Sequence, residues 1–306
     1  MRLLERFLRD WLARRFAGRP SFALERKLPD LERSFRDIPE FGLYLHIPFC
    51  RRLYPYCPYN KEIYRPDAAA DYARAVTREV DLYSRLIAAR PVTSFYIGGG
   101  TPTTMLHSGL ADILEHVYAT LNLQCDVHME SHPTDLTPEN LRAIADLGVR
   151  HLSMGIESLH DHHLRRLERP YSAAEARAAI ERAVAAGFRC LNVDVMFALP
   201  GQTLEELEEE TTALARLGVD QVAAYPIFTF PQTRWARVYA ESGLRPPSLR
   251  RRRAMLAVFE QVLYAAGFER TSVWAFTRAG VPKYCSVTVP LYIGLGAGAA
   301  SYLRDV

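Results

Sequence analysis

The chain has 306 residues, 49% of them hydrophobic and 24% charged, with a formal net charge of +3. That length is large for one average domain, within the range of a single α/β barrel, and ample to bury a core. Near-balanced charge leaves no basic footprint for nucleic acid. Five cysteines are an odd number that suits no secreted disulfide framework, and there is neither a signal peptide nor an apolar run long enough for a transmembrane segment. A cytoplasmic protein with reduced thiols is expected.

Residues 1–17 place Leu3, Leu4, Phe7, Leu8, Trp11, Leu12 and Phe16 at helical spacing, opposite Arg2, Arg6, Arg9, Arg14 and Arg15. The pattern suits a helix packed on the outside of the main domain, or a basic amphipathic helix for a membrane surface or partner. The charged stretch 19–40, with Pro20, Pro29 and Pro39, reads as a linker holding one short helix. Residues 1–40 are thus expected to be an N-terminal helical extension, and 41–306 the main domain.

From Leu43 the chain alternates. Short apolar runs suited to buried parallel strands are Leu43–Ile47, Ser94–Ile97, Asp126–Glu130, His151–Met154, Cys190–Phe197 and Gln221–Tyr225. Helical patterns follow at 68–89, 107–120, 137–147, 172–187, 203–217 and 248–266. Ser172 and Thr203 are candidate N-caps, Pro138 sits in a first turn, and Gly148, Gly187, Gly218 and Gly267 fall just past helix ends. Six β-α repeats predict a parallel barrel or a doubly wound sheet. Residues 271–302 read as two strands around the glycine-rich turn after Tyr292.

In both architectures ligands bind beyond the C-terminal ends of the strands. After the first strand comes a loop with Cys50 and Cys57, soft thiolates set among aromatics, which suggests a metal or iron–sulfur site lacking part of its ligand set. Gly98-Gly99-Gly100-Thr101-Pro102-Thr103 follows the second. Its amides are expected to lie open to a carboxylate, a phosphate or an amino-acid moiety, unless the glycines merely make a tight turn. Glu130, Glu157 and Asp194 then fall at three successive strand ends, where carboxylates make poor core residues and point to a shared polar ligand. His46 is expected to be a satisfied core residue. The His160-Asp161-His162-His163 cluster has no i, i+4 pair and reads as a solvated helix start rather than a metal site. Cys125 and Cys190 read as small buried hydrophobes, and Cys285 is left open.

Taken together, these motifs resemble the radical S-adenosylmethionine (SAM) superfamily, and within it the oxygen-independent coproporphyrinogen III oxidase (HemN/HemW-like) group. The resemblance covers about residues 41–302 and rests on Tyr44-Leu-His46-Ile-Pro-Phe-Cys50, on GGGTPT, on Glu130 before x-x-Pro and on Asp194 of D-x-x-x-x-L-P. It implies a partial (β/α)6 TIM-like barrel holding a [4Fe–4S] cluster on three thiolates. It further implies SAM as cofactor, a tetrapyrrole or other small-molecule substrate, and a reductase as electron donor. By position Gly99, Gly100, Thr101 and Glu130 would meet the SAM amino group, and Arg169 its carboxylate. Glu157 and Asp194 would meet the ribose and Tyr56 the adenine, with Tyr44 in the same constellation.

The chain departs from the family pattern at the middle cluster cysteine, where Tyr54 stands, and Tyr59 occupies the place of a further cysteine found in the oxidase. A phenol is a hard and ordinarily protonated ligand. The family's C-terminal domain is expected to be missing. Three readings follow: a radical SAM enzyme weakened at Tyr54; a catalytically inactive SAM- or haem-binding module; or an active enzyme in which Cys285 or another group supplies the third ligand.

Overall fold

The computed structural model describes residues 30–87, 89–230, 233–241, 246–284 and 291–303. The first half of the chain runs α1 (Leu31–Phe35), β1 (Phe41–Ile47), β2 (Phe49–Cys50), β3 (Glu62–Ile63), α2 (Pro66–Ile87), β4 (Pro91–Gly99), α3 (Leu110–Thr120), β5 (Asn122–Leu123), β6 (Val127–Ser131) and α4 (Pro138–Asp146). The second half continues with β7 (Val149–Glu157), α5 (Asp161–Arg166), α6 (Ala173–Ala185), β8 (Cys190–Phe197), α7 (Leu204–Arg216), β9 (Gln221–Pro226), α8 (Arg234–Glu241), α9 (Leu249–Ala265), β10 (Phe268–Arg270), β11 (Ala275–Arg278) and β12 (Tyr292–Leu295). The basic amphipathic pattern at 1–17 and Cys285 lie outside the described residues. No described helix is long and apolar enough to cross a membrane.

The main sheet has the order β10-β11-β9-β8-β7-β6-β4-β1-β12. Its centre, β1-β4-β6-β7-β8-β9, is parallel and contains the six expected strands, each followed by a helix. This is the partial (β/α)6 architecture. Both faces of these strands are covered, so their sequences read as near-continuous apolar runs rather than alternations. Their outer face packs against Val76 and Val80 of α2, Ile113, Leu114 and Val117 of α3, Ile144 of α4, and Leu207 and Leu214 of α7.

Helix starts follow the caps. Ser172 with Glu175, and Thr203 with Glu206, each form a reciprocal capping box, satisfying two amides that the first turn would otherwise leave bare. Residues 30–40 bury Phe35 and Ile38 against the barrel, and Arg90 Nη1 donates to both of their carbonyls, at 2.5 and 3.3 Å.

The end of the chain differs from expectation. Strand β11 joins the β9 edge antiparallel, whereas β12 runs parallel beside β1 on the opposite edge, so the two do not flank one turn. The glycine-rich turn follows β12 and is closed by an antiparallel bridge between Tyr292 and Tyr302. Local turn composition carries no information about which distant strand offers a free edge.

Candidate functional site

The inner face of the sheet is polar. Alternate residues on buried strands share a face, and here the pairs are Tyr44/His46, His128/Glu130, His151/Ser153 and Asn192/Asp194. His128 and His151, opposite each other on β6 and β7, stack with ring centroids 4.1 Å apart. Gln221 Nε2 donates to Asn192 Oδ1 (3.0 Å), and Asn192 Nδ2 donates to Ser153 Oγ (2.7 Å) and Asp194 Oδ1 (2.8 Å). Ser153 Oγ donates in turn to Asp194 Oδ2 at 2.9 Å. His46 behaves as a satisfied core residue, pairing with the Tyr44 hydroxyl (2.9 Å) and the Asn60 carbonyl (3.0 Å).

The strand-end carboxylates share one space above this ladder. Glu130 accepts from the Tyr96 hydroxyl (2.6 Å) and the Gly99 amide (3.1 Å), and burial raises its pKa. Burial, reinforced by the nearby charges of Glu157 and Glu130, pushes the Asp194 carboxyl up to about 7. A group poised near neutrality among converging carboxylates is a candidate ligand contact.

The glycine loop is arranged differently from the open cradle expected. Gly99 N–H is taken by Glu130, Gly100 N–H by Ile47 O (2.7 Å) and Thr101 N–H by Phe49 O (2.8 Å). A Cβ at Gly100 would lie 2.7 Å from Phe49 O and 2.8 Å from Pro48 O, while Gly99 has a φ of +117°. Glycine is therefore required here by the close passage of 47–49, the segment leading into the cysteine loop. These amides are not left open for an anion.

Arg169 and Glu157 form an ion pair whose side chains are only 5% and 13% exposed. Glu157 has a φ of +66° at a register break in β7, a strained setting for a residue with a side chain. Tyr56 donates to Glu157 Oε1 at 3.4 Å. The Arg169 guanidinium lies 4.2 Å from the centroid of the Tyr54 ring, and that ring stacks on Tyr56 (5.9 Å, 17°) and on His132 (6.1 Å, 6°). Tyr54 Oη and His132 Nε2 are 2.8 Å apart. His132 Nδ1 accepts from the Thr134 amide (3.3 Å), which places the ring proton on Nε2, donating to Tyr54. Burial, with Arg169 and Arg51 nearby, lowers the His132 pKa to about 3. Burial raises that of Tyr54 against the pull of Arg169, so both rings are neutral.

Cys50 is buried on β2, takes a contact from Thr101 Oγ1 at 3.7 Å, and has its thiol pKa raised by burial. Cys57 is half-buried and unpaired. Among the described residues, no third His, Cys, Asp or Glu donor joins these two in a group whose ligand atoms all lie within 4.8 Å. Cys190 is fully buried and Cys125 half-buried, and burial raises their thiols to about 12 and about 11, as expected of inert packing cysteines. The structure thus brings Tyr54, Tyr56, Glu157 and Arg169 into direct contact, and sets Gly99, Glu130 and Asp194 beside them. Sequence reasoning missed Tyr96, His132 and Ser153. A polar residue at every second position of an apolar strand is the signal that could have found Tyr96 and Ser153.

The radical SAM superfamily profile matches residues 44–213. The heme chaperone HemW of Bacillus subtilis is 27% identical over 266 residues, covering 85% of this chain and 70% of that protein. HemW of Escherichia coli is 30% identical over 271 residues, covering 86% and 70%. The coproporphyrinogen III oxidase HemN of Escherichia coli has the same fold, with a TM-score of 0.79 at 22% identity over 90% of this chain and 68% of that one. The chain belongs to the radical SAM superfamily. Within it, the chain falls in the HemN/HemW-like group, whose cofactors are a [4Fe–4S] cluster and SAM. The buried carboxylates and the Arg169–Glu157 pair suit the amine, carboxylate and ribose hydroxyls of SAM. The thiolates described are one fewer than the three that the resemblance implies for the cluster.

Proposed function

We infer that this chain is a haem- and SAM-binding module of the heme-chaperone kind rather than an oxidase running radical chemistry. The observation that carries this reading is Tyr54. Where the resemblance implies the middle cluster thiolate, the chain has a neutral phenol, locked by His132 and covered by Arg169. A hard, protonated oxygen is a poor ligand for iron–sulfur iron. On this reading Glu130 would accept from the SAM amine, Arg169 would face its carboxylate, and Asp194 and Glu157 would take the ribose hydroxyls. Tyr56 would lie against the adenine. None of these contacts requires the sulfonium to be cleaved.

Two further features support a tetrapyrrole ligand. The names of the HemW relatives describe heme chaperones. Beyond β9, Phe228 and Phe230 are exposed, with ring centroids 5.7 Å apart, on a segment tied to the cysteine loop by Trp235 N–H donating to Pro55 O (3.0 Å). An exposed aromatic pair offers an apolar face of the kind a flat macrocycle covers.

The test is haem titration followed by Soret absorbance, SAM titration by calorimetry, and anaerobic reconstitution with iron and sulfide. Saturable haem and SAM binding is expected, with little thiolate–iron absorbance, and Tyr54→Cys should raise bound iron towards about four per chain. Full cluster assembly by the unaltered protein, with SAM cleavage, would overturn the reading in favour of a third ligand outside the described residues.

A further inference from the structure

The His160–His163 stretch is not the solvated helix start its sequence suggests. His163 is buried, with its side chain 1% exposed, while His162 beside it is 48% exposed. Both reach across to one residue of another element: His162 Nε2 lies 3.0 Å from Glu206 Oε1, and His163 Nε2 lies 3.3 Å from Glu206 Oε2. The three ligand atoms all lie within 4.8 Å of one another. We propose that His162, His163 and Glu206 form a zinc site that clamps α5 to the start of α7.

The geometry supports this in three ways. Donors held about 2.0–2.1 Å from one tetrahedral zinc are about 3.3–3.4 Å apart, and the three ligand atoms here lie within 4.8 Å of one another, so closing on one ion needs only side-chain adjustment. Two imidazoles and a carboxylate are a ligand set suited to zinc. The buried His163 Nδ1 has no hydrogen-bond partner. Contacts that hold Glu206 in place are there: its Oε2 accepts from the Thr203 amide (2.9 Å) in the capping box, and His160 Nε2 binds the Glu206 carbonyl (3.0 Å). That last bond engages His160 and keeps it out of the donor set. Three protein donors leave the fourth position to water, on the side where His162 meets solvent.

The clamp would act on the segment that joins two residues of the SAM pocket. Helix α5 lies between Glu157 and Arg169, and Arg166 Nη1 donates to the Pro200 carbonyl in the turn before α7. Zinc would tie that segment from the outside without touching the pocket. The inference is independent of the haem reading.

Zinc binding to the full chain, measured by equilibrium dialysis in a Cys50→Ser/Cys57→Ser background, separates this site from the thiolates. One equivalent of zinc is expected, with an affinity at least about tenfold weaker in His162→Ala. Cobalt(II) should give visible d–d bands without sulfur charge-transfer bands. Zinc should raise Tm in the parent but not in His162→Ala, whose exposed side chain can be removed without opening the core. Glu206→Gln provides a second variant with the same expected loss. Equal zinc affinity in His162→Ala, or no zinc bound in the Cys50→Ser/Cys57→Ser background, would overturn the proposal.

Discussion

Tyr54 Oη lies 2.8 Å from His132 Nε2, joining the cysteine loop to the turn after β6 across 78 residues of sequence. The bond fixes a phenol between Cys50 and Cys57, and its partner is a neutral imidazole whose other nitrogen is already engaged by Thr134. The loop is therefore tied by a side-chain bond to the turn after β6.

That bond has a measurable strength. Tyr54→Phe keeps the stack on Tyr56 and the contact with Arg169 but strands the His132 Nε2–H. A loss of about 1–3 kcal/mol is expected, the cost of leaving a largely desolvated donor unpaired. Urea denaturation should show a lower midpoint at unchanged slope. An unchanged midpoint would mean that water replaces the phenol at no cost.

The Arg169–Glu157 pair is a stronger element. Removing one partner of a buried pair leaves an uncompensated charge, so Arg169→Met should destabilise by about 3–5 kcal/mol. Arg169→Met combined with Glu157→Gln should cost clearly less than the sum of the two single changes, because neither member is then stranded. Additive costs in the denaturation cycle would show that the two residues act separately.

Asp194 gives the fold a pH dependence of defined sign. Its folded pKa of about 7 is above the ordinary carboxyl value, so the folded state binds this proton more tightly than the unfolded chain does. Its contribution to stability is greatest below the unfolded pKa and is lost as pH rises towards 7. The change is at most about 4 kcal/mol by linkage. Asp194→Asn should flatten the fall in Tm between pH 5 and pH 8, both values chosen to bracket the upper part of that window. An equally steep fall in the variant would assign the effect to other groups.

Much of the architecture was legible in the sequence. Six strands buried on both faces announce themselves as apolar runs, and Ser172 and Thr203 mark helix starts because cap chemistry is local. The pairing of Glu130 with Gly99, and of Glu157 with Arg169, was only partly legible. Strand-end position placed these residues at one rim, but their hydrogen bonds depend on strand register. Three features escaped the sequence altogether. The glycines of the second loop serve the passage of Ile47–Phe49, His163 is buried under a helix start, and β12 seeks the free edge beside β1. Each depends on a partner from a distant part of the chain, which residue spacing does not encode.

The ladder of Gln221, Asn192, Ser153 and Asp194, with His128 and His151 stacked beside it, has a calorimetric consequence. Ser153, Asn192 and Gln221 are each only 1% exposed before any ligand arrives, so a ligand seated against them covers almost no further polar surface. Covering apolar surface lowers heat capacity, so occupation of this barrel should carry a negative ΔCp set by the apolar area it covers. The heat of binding should accordingly become more favourable as temperature rises.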